Sequence, residues 1–144
     1  MHKQADTFAP GTERQGAPLT TPQASIWLDW AKGDDCANYN ICSVIRFDGD
    51  LDIPALHKAI VQTDQENDAL RLRFGSEGGN PFQFFADTCR ETDFSVIDLS
   101  FADDPVLIAH HEVEEIRRRP LDPENGHHCR HRLLQLGKGR FWWV

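Results

Sequence analysis

The feature that most constrains the fold is a strict alternation of apolar and charged residues at positions 69–74 (ALRLRF). Side chains of a β-strand point to its two faces in turn, so this run predicts a strand with one apolar and one basic face. The apolar face holds Leu70, Leu72 and Phe74, and the basic face holds Arg71 and Arg73. A glycine-rich stretch at 75–80 leads to a second apolar run at 81–86. The two runs are therefore predicted to pair as a hairpin.

Three other segments have the apolar spacing of an amphipathic helix, and each has a proline in its predicted first turn. They are residues 22–31, capped by Thr21; residues 53–67, capped by Asp52; and residues 105–119, capped by Asp103 or Asp104. Pro120 cannot continue the third helix. Together with the hairpin, these segments predict a mixed α/β fold with about three helices.

Four further runs predict strands: residues 40–47, read as a largely buried strand, and residues 95–99, 129–136 and 140–144. The last run (RFWWV) is almost entirely apolar and ends the sequence. We therefore expect it to form an unpaired edge of a truncated domain, and that edge to promote aggregation or dimerisation. Residues 1–17 lack apolar periodicity and are predicted to be a flexible tail.

Composition excludes several classes of function. The formal net charge of -8 is the wrong sign for a nucleic-acid-binding protein. No stretch has the length and apolarity of a membrane span, so we expect a cytoplasmic protein. Its cysteines are widely spaced and include no C-x-x-C pair, which predicts reduced thiols; they are Cys36, Cys42, Cys89 and Cys129.

Two groups of histidines invite a functional interpretation. His110 and His111 are adjacent in a predicted helix, point about 100° apart and do not easily share a metal. His127, Cys129 and His131 would share one strand face, which suits a metal, although neighbouring arginines would repel a cation. An ordinary surface strand is the simpler interpretation, and we expect no metal site.

Residues 19–28 (LTTPQASIWL) resemble the first core motif of nonribosomal peptide synthetase condensation domains, S-x-A-Q-x-R-(L/M)-W. Gln23 and Trp27 match this motif, while Ser25 stands at the position of its arginine. Residues 66–74 resemble the second core motif, R-H-E-x-L-R-T-x-F, and the matching residues are Leu70, Arg71 and Phe74.

Shorter stretches support the same resemblance in the same order. Residues 38–41 (NYNI) are similar to the family's YNI, residues 49–52 (GDLD) to its G-x-LD, and residues 119–126 to its RPFDL-x-x-G. The resemblance covers about residues 18–144. In the family the next strand runs into the catalytic H-H-x-x-x-D-G motif. Residues 141–144 resemble the start of that strand, and this sequence contains no such motif, so we expect no catalytic residue within it.

The resemblance implies part of a chloramphenicol acetyltransferase-like lobe with a mixed sheet. It also implies that the whole domain forms amide bonds between acyl and aminoacyl thioesters, which are held on phosphopantetheine arms of peptidyl or aryl carrier proteins. The expected partners are those carriers and adjoining synthetase domains, and the fragment itself is expected to bind no cofactor and to be inactive alone. Arg71 matches the arginine that pairs with the motif's aspartate. A non-catalytic docking module and, less favoured, a small metal-binding domain are the alternatives.

Overall fold

The computed structural model describes residues 16–33, 36–86, 92–120, 122, 124 and 128–144. Within these ranges the chain forms four α-helices, which are α1 (Thr21–Lys32), α2 (Ile53–Glu66), α3 (Asp68–Arg71) and α4 (Pro105–Arg118). The strands are β1 (Ala17–Pro18), β2 (Ile45–Asp48), β3 (Leu72–Glu77), β4 (Asn80–Phe85), β5 (Phe94–Asp98), β6 (His131–Gly137) and β7 (Arg140–Trp143). The mixed α/β fold with three long helices is thus confirmed, and α3 is a single extra turn.

The long helices begin where their capping residues predict. The Asp52 carboxylate accepts a hydrogen bond from the backbone N–H of Ala55 at 2.9 Å, and Asp104 caps α4 through Leu107 at 3.0 Å. These bonds satisfy N–H groups that have no partner inside a helix. The predicted cap of α1 is one residue too late, because Thr20 is the capping residue.

The strands form two sheets. The larger is mixed, with the order β2-β7-β6-β5, in which β5 and β6 are parallel and the other pairs antiparallel. The smaller has the order β1-β4-β3 and contains the predicted hairpin. Its turn consists of Gly78 and Gly79 with φ of 57° and 83°, a conformation that favours glycine.

The predicted strand at residues 69–74 is wrong in its first half. Leu70 and Arg71 belong to α3, and β3 begins only at Leu72. The backbone N–H of Leu70 donates to the carbonyl of Asn67 at 3.0 Å, and this local turn takes the place of strand pairing. Leu70 and Arg71 therefore do not alternate with the residues of β3.

The prediction of a largely buried strand at residues 40–47 is also wrong. Only Ile45–Asp48 forms a strand, and it lies at an edge of the larger sheet with β7 as its partner. Ile41 is 96% exposed and Ile45 47% exposed. One side of an edge strand lacks a neighbour, so apolar alternation there does not imply burial.

The terminal apolar run is not an unpaired edge, contrary to expectation. β7 lies between β2 and β6 and is paired along both sides. Val144 extends the ladder, since it exchanges two backbone hydrogen bonds of 2.9 Å with Arg132. The core on one face of this sheet comprises Leu99, Ala109, Leu134, Leu136 and Trp142. An exposed FWWV edge is therefore no longer a reason to expect aggregation or dimerisation.

None of the helices in the described ranges combines the length and apolar character that crossing a bilayer requires.

Candidate functional site

A cavity of about 470 Å³ opens at the C-terminal end of β7, where Trp143 and Val144 contribute to its lining. Residues 39–43 and Ile45 form one side, here called the β2-side wall. Residues 128–131 form the opposite side, called the β6-side wall, and the last turn of α4 lies between them. Segments far apart in the sequence thus meet at this point, and each wall precedes a strand of the larger sheet.

The end of α4 holds both walls. Pro120 stops the helix and Arg119 is already extended, with φ of -81° and ψ of 115°, so the last carbonyls need donors from elsewhere. The side-chain amide of Asn40 donates to the carbonyls of Arg117 and Arg119, both at 2.9 Å. From the other wall, the Arg130 guanidinium donates to the carbonyls of Arg119 and Pro120 at 3.1 and 3.2 Å.

A single carboxylate behind the β6-side wall pairs with two arginines. Asp93 lies 2.7 Å from Arg132 and 3.4 Å from Arg130, whose side chains are only 16% and 13% exposed. Burial, followed by the nearby charge of Arg119, lowers the pKa of Arg130, while the charge of Asp93 acts in the opposite direction. The guanidinium therefore occupies this site despite a cost in solvation, which indicates a structural role.

The cavity contains two free thiols, one on each wall. Burial raises the pKa of Cys42 and that of Cys129, so both thiols stay protonated at neutral pH. His131 stacks on Trp143 with ring centroids 5.7 Å apart, and burial lowers its pKa. Its Nε2 and the indole Nε1 of Trp143 are buried without a hydrogen-bond partner among the described residues.

The structure describes all but one residue of the two histidine groups. No group of three or more His, Cys, Asp or Glu residues in the described part of the chain can hold a metal ion, and His127 lies outside that part. His110 packs edge-on against Trp142, with ring centroids 4.9 Å apart. His111 is exposed on α4.

The residues of the first motif connect α1 to the smaller sheet. The side-chain amide of Gln23 donates to the Gln83 side-chain oxygen at 2.9 Å, and Gln83 in turn donates to the carbonyl of Pro18 at 2.8 Å. The buried indole of Trp27 lies 6.3 Å from the ring of Phe74. Trp27 and Phe74 belong to different motifs, so the structure brings the two motifs together.

The remaining motif residues, Leu70 and Arg71, do not line the cavity. Arg71 forms an ion pair with Asp68, and its buried Nε has no hydrogen-bond partner among the described residues. Arg73, rather than Arg71, is the buried arginine; it is 6% exposed and donates to the carbonyls of Leu70 and Leu72 at 3.2 and 2.7 Å. Sequence reasoning missed the roles of Asn40 and Arg130, and only the family-like NYNI stretch pointed to Asn40.

Comparison with known proteins gives consistent matches. The model of the condensation domain family matches residues 13–144. Enterobactin synthase component F of Escherichia coli (strain K12) is 25% identical over 130 residues, which are 90% of this chain and 10% of that protein. A dimodular nonribosomal peptide synthase of Bacillus subtilis (strain 168) is 26% identical over 134 residues, 93% of this chain and 6% of the relative.

Solved structures agree with these sequence matches. The first condensation domain of the calcium-dependent antibiotic synthetase, in complex with a substrate analogue, superposes with a TM-score of 0.78 at 27% identity. The match covers 89% of this chain and 31% of that structure. The chain thus spans less than a third of a solved domain and a smaller share of the synthetases it resembles.

Proposed function

This chain belongs to the condensation domain family, and on that premise we propose that it forms the N-terminal part of an amide-forming domain. Residues 18–144 supply part of the first lobe. Of the predicted tail at residues 1–17 the structure describes only residues 16 and 17, and Ala17 pairs with Gln83 in the smaller sheet. In the reaction, the amine of a carrier-bound acceptor attacks the acyl thioester of a donor. The new C–N bond replaces the C–S bond, the amine loses a proton, and the donor's phosphopantetheine thiol is released.

The position of the last strand carries this proposal. β7 runs between two neighbours and ends at the cavity, whose lining includes Val144. In the family the corresponding strand leads into H-H-x-x-x-D-G, so a continuing chain would bring its histidines to this cavity. A well-positioned imidazole contributes about 10²- to 10⁴-fold to such proton transfers. We therefore assign the chemistry to the longer chain and expect residues 1–144 alone to be inactive.

The proposed function also suggests a hydrogen-bond partner for Arg71 in the longer protein. Its Nε is buried and unsatisfied among the described residues, while another nitrogen of the guanidinium pairs with Asp68. A buried donor without a partner is costly, which fits a site completed by another group. We propose that the aspartate of the histidine motif accepts this bond and that Arg71 thereby steadies the catalytic loop.

Substrates and partners follow from the proposed reaction. Donor and acceptor would arrive on phosphopantetheine arms of peptidyl or aryl carrier proteins, next to adjoining synthetase domains in the cytoplasm. We assign no cofactor to residues 1–144 themselves. The net charge of -8 disfavours a role limited to docking acidic carriers, because like charges repel.

The test is an amide-formation assay on two proteins: the chain ending at Val144, and a longer product that includes the predicted motif and second lobe. Acyl and aminoacyl groups are loaded on carrier proteins, and the product is followed by mass spectrometry. The longer protein should form the amide, its variant with the second motif histidine replaced by alanine should lose about 10²- to 10⁴-fold, and the short chain should form none. A longer protein that binds carriers without forming amide would favour the docking module instead.

A further inference from the structure

We infer that Asn40 and Arg130 are positioning residues that together set the width of the cavity, because they tie its opposite walls to the same end of α4. The carbonyl of Arg119 accepts from both side chains, from Asn40 at 2.9 Å and from Arg130 at 3.1 Å. A single oxygen thus links the β2-side wall to the β6-side wall. The consequence for catalysis, although not the geometry, rests on the proposed function.

The acceptors of these bonds are the backbone carbonyls at the C-terminal end of α4. Because Pro120 ends α4, the carbonyls at its C-terminal end have no donor in the helix. Asn40 has an amide with two N–H groups and uses them on two of these carbonyls. Arg130 has a planar fork of donors and uses two of its nitrogens in the same way. Both walls are therefore bonded to the carbonyls at the C-terminal end of α4.

The two walls differ in how they are otherwise fixed. On the β6 side, Arg130 is also held by the Asp93 carboxylate at 3.4 Å. On the β2 side, residues 41–44 form no strand, and Ile41 is 96% exposed. The hydroxyl of Tyr39 donates to Asp29 on α1, while the side-chain amide of Asn40 ties this wall to the end of α4. Loss of the Asn40 bonds should therefore release the β2-side wall first.

The two thiols report the width of the cavity directly, since Cys42 lies on one wall and Cys129 on the other. Each thiol is labelled with a bulky maleimide and, separately, with small iodoacetamide, and peptide mass spectrometry gives the rate at each cysteine. The quantity compared is the maleimide rate divided by the iodoacetamide rate, which rises when the cavity widens. The ratio of the two rates removes the effect of any change in thiol pKa. Asn40→Ala should raise this ratio by about tenfold at Cys42, with a smaller rise at Cys129.

Asn67 provides a matched control, because its side-chain amide donates to the Thr63 carbonyl at 2.8 Å in the last turn of α2. Asn67→Ala removes the same kind of bond and should leave the labelling ratio unchanged. Asn40→Asp keeps the shape of the side chain without its donors, so it should behave like Asn40→Ala. An unchanged ratio in both Asn40 variants, or an equal rise in Asn67→Ala, would overturn the inference.

Kinetics of the longer, catalytic protein provide the second readout. Asn40→Ala should raise KM for the carrier-bound thioester by about tenfold and change kcat by less than about twofold, because the wall positions the substrate before reaction. An unchanged KM together with an altered labelling ratio would refute the positioning role. If the unsubstituted longer protein forms no amide, the proposed function fails, while the labelling result still decides the geometry.

Discussion

Replacement of Asp93 by asparagine should destabilise the protein by removing the shared negative charge behind the β6-side wall. Asp93 contacts Arg132 at 2.7 Å and Arg130 at 3.4 Å, and these arginine side chains are only 16% and 13% exposed. Asparagine preserves the size of the side chain and one acceptor oxygen. The substitution therefore leaves two poorly solvated guanidinium groups without their counter-ion.

The expected loss is smaller than for a fully buried pair. Breaking a buried ion pair from one side costs about 3–5 kcal/mol. Asp93 is itself 32% exposed, so water screens part of the interaction, and we expect the free energy of unfolding to fall by about 2–3 kcal/mol. Arg130 also keeps its bonds to the carbonyls of Arg119 and Pro120.

Urea-induced unfolding measures this change, and Glu114→Gln is the matched control. Glu114 pairs with Arg117 at 2.8 Å on the surface of α4, where the two side chains are 49% and 48% exposed. Such an exposed pair contributes little to stability, because water and salt screen the two charges. A loss for Asp93→Asn no larger than that of Glu114→Gln would refute the reasoning, because it would mean that the two arginines do not need their counter-ion.

Three further predictions concern the motif residues and the cavity. In a double-mutant cycle, Gln23→Ala and Gln83→Ala should couple by about 0.5–1.5 kcal/mol in the free energy of unfolding, since each removes one partner of a 2.9 Å bond; additive losses would contradict the link. Burial lowers the folded-state pKa of His131, so as pH falls the unfolded chain takes up a proton before the folded chain does. The free energy of unfolding should therefore decrease as pH drops below about 6.5, and it should level off below the folded-state pKa. His131→Gln should reduce the loss between about pH 7.5 and 5.5, and an identical loss would exclude this cause. In the longer protein, Arg71→Lys should lower kcat about tenfold with little change in unfolding, because lysine cannot reproduce a forked contact; full activity would rule out the loop anchor.

Local signals predicted the helices well. Asp52 and Asp104 are followed by prolines that fit a first helical turn, and both aspartates cap their helices as expected. Pro120 ends α4 because it lacks an N–H group, a property of the residue alone. In each case, nearest neighbours in the chain decide the conformation.

Strand predictions failed where the outcome depends on partners. Alternation at residues 69–74 predicts a strand, whereas the chain forms a helical turn as far as Arg71, in which the N–H of Leu70 donates to the carbonyl of Asn67. Apolar alternation in β2 does not reveal that this strand lies at an edge, and the FWWV run does not reveal that β2 and β6 flank it. Such information lies in pairing between distant residues.

The cavity could not be predicted from the sequence, because it too depends on contacts between residues that are distant in the chain. Its walls come from residues 39–43, Ile45 and residues 128–131, and the end of α4 supports both walls. Asn40 was singled out only as part of a family-like stretch, and nothing in the sequence indicated that its amide meets Arg119. The motif residues Trp27 and Phe74 prove to be packing partners, a contact that the sequence did not reveal.

The most direct test of the central claim is the coding sequence downstream of codon 144 in the native locus, read in all three frames. We predict H-H-x-x-x-D-G within about ten codons, in frame or after a shift, because residues 141–144 resemble the start of the family's strand that leads into this motif. Its presence would place the histidines at the cavity beside Val144. A downstream sequence without the motif in any frame would contradict the claim that this chain is the front of an amide-forming condensation domain.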